Sequence, residues 1–252
     1  MASRRGVVFG IAAFAAGVMS IRYARSFLEP LPEFQDLTDP VGFREISGGP
    51  SSTGFDPFVG LADPNERTRL RTPSDVRQNL CKALFGETDE NFGFVPLASF
   101  SDYYCPYCRV QTKRLAGLAE QLGAGVKVVW HELPLLGDTS MLAAKAALAA
   151  KRQGAYVQFH ERLLSSPFQA TPEYLQLLAE SLDLDHARLV SDMESKDVLQ
   201  ELDTSSILSE IFGFIGTPAL VVGRTVIQGQ ISDRNLLKII DLERSEGWAQ
   251  VC

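Results

Sequence analysis

The chain has 252 residues, 45% of them hydrophobic, which suits a globular protein with a substantial core and excludes a disordered chain. Its formal charge is −7, from 31 acidic against 24 basic side chains with no sustained Lys/Arg run, and this argues against a nucleic-acid partner. Only four cysteines are present, so each needs an account.

The elements begin with an apolar leader. After Arg4 and Arg5, sixteen uncharged residues run from Gly6 to Ile21, followed by Arg22 and Arg25. That length lies between a signal-peptide core and a spanning helix, so residues 1–25 read as a signal peptide or a membrane anchor. No small-x-small motif follows the run, which favours an uncleaved segment seated in the membrane. Without these residues the rest of the chain carries −11 and has no affinity for anionic lipid. From 26 to 72 the sequence is punctuated by prolines and glycines and reads as a linker or extended strap. Phe43, Phe55, Phe58, Val59 and Leu61 predict that part of this strap packs as an arm on the globular domain.

The domain itself spans 73–252. "TPSDVRQNLCKALFG" predicts one helix with Thr72 as N-cap, Pro73 in the first turn and Gly86 as the stop. Phe92 to Phe100 is an apolar run suited to a strand. "CPYC" follows it, and Val110, Leu115, Leu118 and Leu122 at helical spacing make the cysteine pair the opening of a helix. Val126 to Leu136 predicts a second strand, so the order is that of a parallel βαβ unit. Residues 140–213 read as helix throughout, with Thr171 as one N-cap. "TPALVVG" and "RTVIQGQ" predict two strands around a Gly-Arg turn, and a closing helix is capped by Ser232 or Asp233.

Cys105 and Cys108 could hold a metal, staple a loop or exchange electrons. Zinc needs four ligands, and neither Cys81, Cys252 nor the three histidines stand at ligand spacing, so no metal is expected. A disulfide across two residues closes too small a loop to act as a staple. Redox chemistry fits: Cys105 at a helix N-terminus meets unpaired N–H groups and the positive dipole end, which favour its thiolate. Cys108, one turn deeper, can resolve a mixed disulfide, and Pro106 sits where its missing N–H costs the helix nothing. Arg109 and Lys113 either add positive potential or are ordinary solvated charges. Tyr103, Tyr104 and Tyr107 either line a groove or pack the end of the sheet.

Strand, "CPYC" opening a helix, second strand, helical stretch, then "GTPALVV" and a closing helix resembles the thioredoxin fold. The long helical stretch, "FSDYYCPYCR" and "HELPLLG" resemble the DsbA-like thiol-disulfide oxidoreductases. This resemblance implies an α/β thioredoxin-like core, about 92–139 and 214–244, interrupted by an all-helical insertion at about 140–213. It makes Cys105 the nucleophile and Cys108 the resolving thiol. A cis Pro218 would face the pair, and Thr217 would pair with the backbone of an extended substrate, with Pro106 and Tyr107 beside it. Glu132 is either a proton shuttle near Cys108 or a strand-end carboxylate without a role. No cofactor is implied. The partners implied are cysteine-containing substrate proteins and a membrane redox protein that recycles the pair.

With an export segment, the compartment is periplasmic or otherwise oxidising, and donation of disulfides is the first reading; reduction or isomerisation by the same pair is the alternative. Cys81 and Cys252 either pair with each other or remain separate thiols. Two rival classes are a kappa-type glutathione transferase, which has no need of Cys108, and an anchored thioredoxin-fold binding module or chaperone.

Overall fold

The computed structural model describes residues 31–54, 69–87, 93–167, 169–248 and 251–252. The apolar leader and strap residues Phe55, Phe58, Val59 and Leu61 lie outside them. Among the described residues, no helix is long and apolar enough to cross a membrane.

Among the described residues, six strands form one mixed sheet: β1 (Gln35–Asp36), β2 (Arg44–Ser47), β3 (Val95–Ser101), β4 (Val126–Glu132), β5 (Ala219–Val222) and β6 (Thr225–Gln228), in the order β1-β2-β6-β5-β3-β4. Central β3 is buried along all seven residues. It runs parallel to β4, from Val95 opposite Val126 to Ser101 opposite Glu132. The connection is α3 (Pro106–Leu122), the helical crossover expected between parallel neighbours. On its other side β3 pairs antiparallel with β5, placing Phe100 opposite Ala219. The short β5–β6 hairpin turns at Gly223, whose φ of +53° is a left-handed conformation that glycine adopts without strain.

The strap contributes two strands that no run of alternating apolar residues announces. β2 lies parallel to β6, with Arg44 opposite Thr225, and β1 folds back on β2. Arg44 anchors this arm: its guanidinium meets Glu243 at 2.7 Å and Glu246 at 2.8 Å, its Nε donates to Thr225, and it stacks on the Phe34 ring. Glu243 is fully buried, so the pair satisfies a charge that would otherwise be costly. Phe43 packs beneath the sheet.

The single helix expected over 73–85 is two short ones, α1 (Pro73–Gln78) and α2 (Leu80–Phe85), broken at Asn79, whose backbone is not helical. Thr72 and Asp75 form a capping box at its start, and Gly86 ends it. Between β4 and β5 stand five helices: α4 (Asp138–Lys151), α5 (Tyr156–Ser165), α6 (Pro172–Ser181), α7 (His186–Met193) and α8 (Lys196–Ile211). Buried alanines at 143, 144, 146, 147, 149 and 150 let α4 pack closely among its neighbours, around Leu148, Phe159 and Leu189. α9 (Asp233–Glu246), capped by Ser232, closes the fold. A second apolar cluster of Val76, Leu84, Phe85, Phe100, Ile207 and Leu208 joins α1, α2 and α8 to the sheet.

Candidate active site

β3 ends at Ser101, and the chain turns at once into α3, so the cysteine pair stands at the end of the central strand. Cys105 is the N-cap of α3: its Sγ accepts the Cys108 N–H at 3.1 Å, and Pro106 is the first helical residue. Across from it the Thr217–Pro218 peptide is cis and leads into β5. The Cys105 Sγ lies 3.2 Å from the Thr217 carbonyl oxygen, to which it donates when protonated. The structure therefore brings Cys105, Cys108, Thr217 and Pro218 together from segments more than a hundred residues apart. Both cysteines are free thiols and both are buried. Pro106 is exposed, and half-buried Tyr107 offers its carbonyl to Gln230, which docks the loop after β6 onto α3.

The two thiols are driven in opposite directions. Cys105 is lowered to about 6, chiefly by its hydrogen bond with Cys108; burial opposes this, and Ser52, Thr217 and the Cys108 N–H support it. Cys108 is raised, by burial first and then by the neighbouring Cys105. One thiol is thus held as a thiolate at neutral pH, while the other stays protonated.

The other groups near the pair make contacts of their own. Arg109 donates to the carbonyls of Tyr103 and Ser166, tying α3 to the helical insertion. Tyr104 is half-buried and its hydroxyl accepts from the Ala170 N–H. Tyr103 is buried and donates to Glu132 at 2.6 Å. Glu132 also accepts from Tyr156 at 2.7 Å and lies 3.3 Å from His160, in a cluster between β4 and α5. Burial and Cys105 raise Cys108, while the Asp102 backbone and Thr217 act to lower it. Burial, followed by the Glu132 charge, raises the phenols of both Tyr103 and Tyr156 well above their ordinary range. Cys81 and Cys252 form a disulfide with S–S at 2.01 Å, joining α2 to the end of the chain.

Two site residues carry no signal in the sequence. The buried Asp102 carboxylate accepts from Tyr104 N–H and Ser140 Oγ, both at 2.8 Å, and from the N–H groups of Leu135 and Leu136. It thereby fixes the turn that presents Cys105 to the turn between β4 and α4; most of its partners lie 33 to 38 residues away, beyond any local pattern. Ser52, in the strap, exchanges two backbone hydrogen bonds with Thr217.

A thiol of lowered pKa at a helix N-terminus, a protonated thiol one turn in, and a cis-proline strand facing them form a dithiol site of the kind suited to thiol-disulfide exchange. A model of the DSBA-like thioredoxin domain matches residues 97–241, and the chain belongs to that family. It is similar in structure to a thioredoxin-like oxidoreductase from Silicibacter pomeroyi DSS-3, with 33% identity and a TM-score of 0.60, over 65% of this chain and 97% of that one. It also shares the fold of the thiol-disulfide exchange protein alpha-DsbA2 from Wolbachia pipientis, at 24% identity and a TM-score of 0.58, over 71% and 98% of the respective chains. Among curated sequences it is 31% identical over 134 residues to Na(+)/H(+) antiporter NhaA 3 of Salinispora tropica, covering 51% of this chain. The chain spans about a fifth of the length of the curated relatives it matches. The thioredoxin-like fold with a helical stretch between its two halves, implied by the resemblance, is the fold observed.

Proposed function

We propose that the protein donates disulfides to cysteine-containing proteins in an oxidising compartment. A substrate thiolate attacks the Cys105 sulfur of a Cys105–Cys108 disulfide; the S–S bond breaks, and Cys108 leaves and takes up a proton. A second substrate thiolate then attacks the substrate sulfur of the mixed disulfide and expels Cys105 as a thiolate. The substrate loses two electrons and two protons, the pair gains the electrons, and a membrane redox partner removes them again.

The observation that supports this direction is the lowering of Cys105 to about 6. A stabilised thiolate stabilises the reduced protein, which makes its disulfide more oxidising than one between ordinary thiols, and it is also the better leaving group. The Cys81–Cys252 bond supports an oxidising location, since such bonds are rare where glutathione keeps thiols reduced. In this reading residues 1–25 direct export or anchor the chain, Thr217 pairs with the substrate backbone, Pro106 and Tyr107 flank it, and Glu132 is a structural tie.

Equilibration of the pair with glutathione tests the direction. A potential nearer to about −120 mV than to about −270 mV is expected; a value at the lower end makes the protein a reductase instead.

A further inference from the structure

The arm beyond β2 does not leave the domain surface. Gly48 N–H donates to Gln228 at 2.9 Å, Gly49 N–H to Gln230 at 2.6 Å, and Gln230 N–H returns a bond to Pro50 at 3.1 Å. The chain then reaches Thr217, where Ser52 N–H donates to the Thr217 carbonyl at 2.7 Å and Thr217 N–H donates to the Ser52 carbonyl at 2.9 Å. The contact is close on both sides: a Cβ on Gly216 would fall 2.4 Å from the Ser52 oxygen, and one on Gly229 would fall 2.1 Å from the Gly49 oxygen. Thr217 has one N–H and one carbonyl, and Ser52 engages both. The Cys105 thiol lies against the same carbonyl, and Ser52 is among the groups that lower Cys105. Cys105 and Thr217 are completely covered.

We propose that strap residues 50–54 are a built-in pseudosubstrate, with Ser52 standing where a substrate cysteine is presented to Cys105. This deepens the oxidoreductase reading above and rests on it. Serine has the shape of cysteine with oxygen in place of sulfur, so Ser52 can occupy the position without being able to form a disulfide. An extended substrate needs the same two Thr217 groups that Ser52 holds, so it enters by strand exchange and displaces the strap. The strap around Ser52 is Pro50, Ser51, Thr53 and Gly54, which makes the fitting substrate an unfolded segment whose cysteine lies between small residues.

The test is a cross-link in the full chain. In the double variant Ser52→Cys, Cys108→Ser, incubation with oxidised glutathione should join the introduced thiol to Cys105. Both thiols lose a proton and an electron, and oxidised glutathione becomes two reduced molecules. Mass spectrometry should show a product lighter by two hydrogens and free of adduct. Glutathione retained on Cys105 beside a free introduced thiol overturns the proposal. So does equally fast cross-linking in Ser51→Cys, Cys108→Ser, since neighbouring residues of an extended strand face opposite sides. A second readout compares Ser52→Pro, which removes the N–H, with Ser52→Ala, which keeps it. KM for a reduced cysteine peptide should fall several-fold in the proline variant, and equal values count against the strap as a competitor. If the wild-type pair exchanges no disulfide with glutathione, the oxidoreductase reading falls, whereas the cross-link still reports where Ser52 sits.

Discussion

The two cysteine pairs of this molecule are opposites. Cys105 and Cys108 stand three positions apart at the start of a helix and are free thiols, whereas Cys81 and Cys252 are separated by 171 residues and are bonded. In the near pair, the N-cap position and unequal surroundings push the two pKa values apart, which suits exchange. In the far pair, the bond holds α2 and the chain end together across the whole domain, which suits permanence. Equal chemistry is thus assigned different work by loop length and by the backbone groups around the sulfur.

The largest effect expected is at the near pair. Cys105→Ser should abolish disulfide exchange, measured with a dithiol peptide, while thermal unfolding stays close to wild type. Cys108→Ser should instead accumulate a mixed disulfide on Cys105. Next comes the far pair: Cys81→Ser should leave exchange by the folded protein unchanged but lower stability by up to about 5 kcal/mol in denaturant titration, the chain-entropy value for so long a loop. If it abolished exchange and left stability alone, the division of labour between the pairs would be wrong. A smaller effect is expected at Glu132, where the Gln variant weakens the hydrogen bonds from Tyr103 and Tyr156. It should cost about 1–3 kcal/mol in stability with exchange kept. Loss of turnover there at unchanged stability would favour the proton-shuttle role.

Much of this site was legible because its signals are local. Pro106 next to Cys105, a strand before and a helix after, and a Thr-Pro opening a late apolar strand each follow from spacing within a few residues. The caps at Thr72, Thr171 and Ser232 were readable for the same reason. The strands of the strap were not, because β1 has only two residues and β2 owes its place to Arg44 meeting Glu243 nearly two hundred residues away. Asp102 and Ser52 were hidden likewise: one carboxylate serves backbone donors from a distant turn, and one small residue is defined by its pairing with Thr217. Asn79 broke a helix that periodicity ran straight through.

The finest distinction between Cys105 and an ordinary thiol lies in its pH dependence. With a pKa of about 6, Cys105 is mostly thiolate at pH 7, so its alkylation rate by iodoacetamide should fall only about tenfold between pH 7 and pH 5. A thiol near its ordinary value of 9.0 would fall about a hundredfold over the same range. The same shift acts on stability. The folded pKa lies below the unfolded one, so the unfolded chain holds more protons between about pH 6 and pH 9, and the reduced protein gains stability across that window. The gain is lost as pH falls through about 6. Raised Cys108 acts in the opposite sense, but only above about pH 9, where the unfolded thiol ionises and the folded one does not. The oxidised protein has neither thiol to titrate, so the difference between reduced and oxidised unfolding curves isolates the effect. His131, buried and lowered to about 4, weakens both forms equally as pH falls from about 6.5 to about 4, and it cancels in that difference. A reduced-minus-oxidised stability that stays flat from pH 6 to pH 9 would mean that Cys105 is not held as a thiolate, and the case for disulfide donation would lose its support.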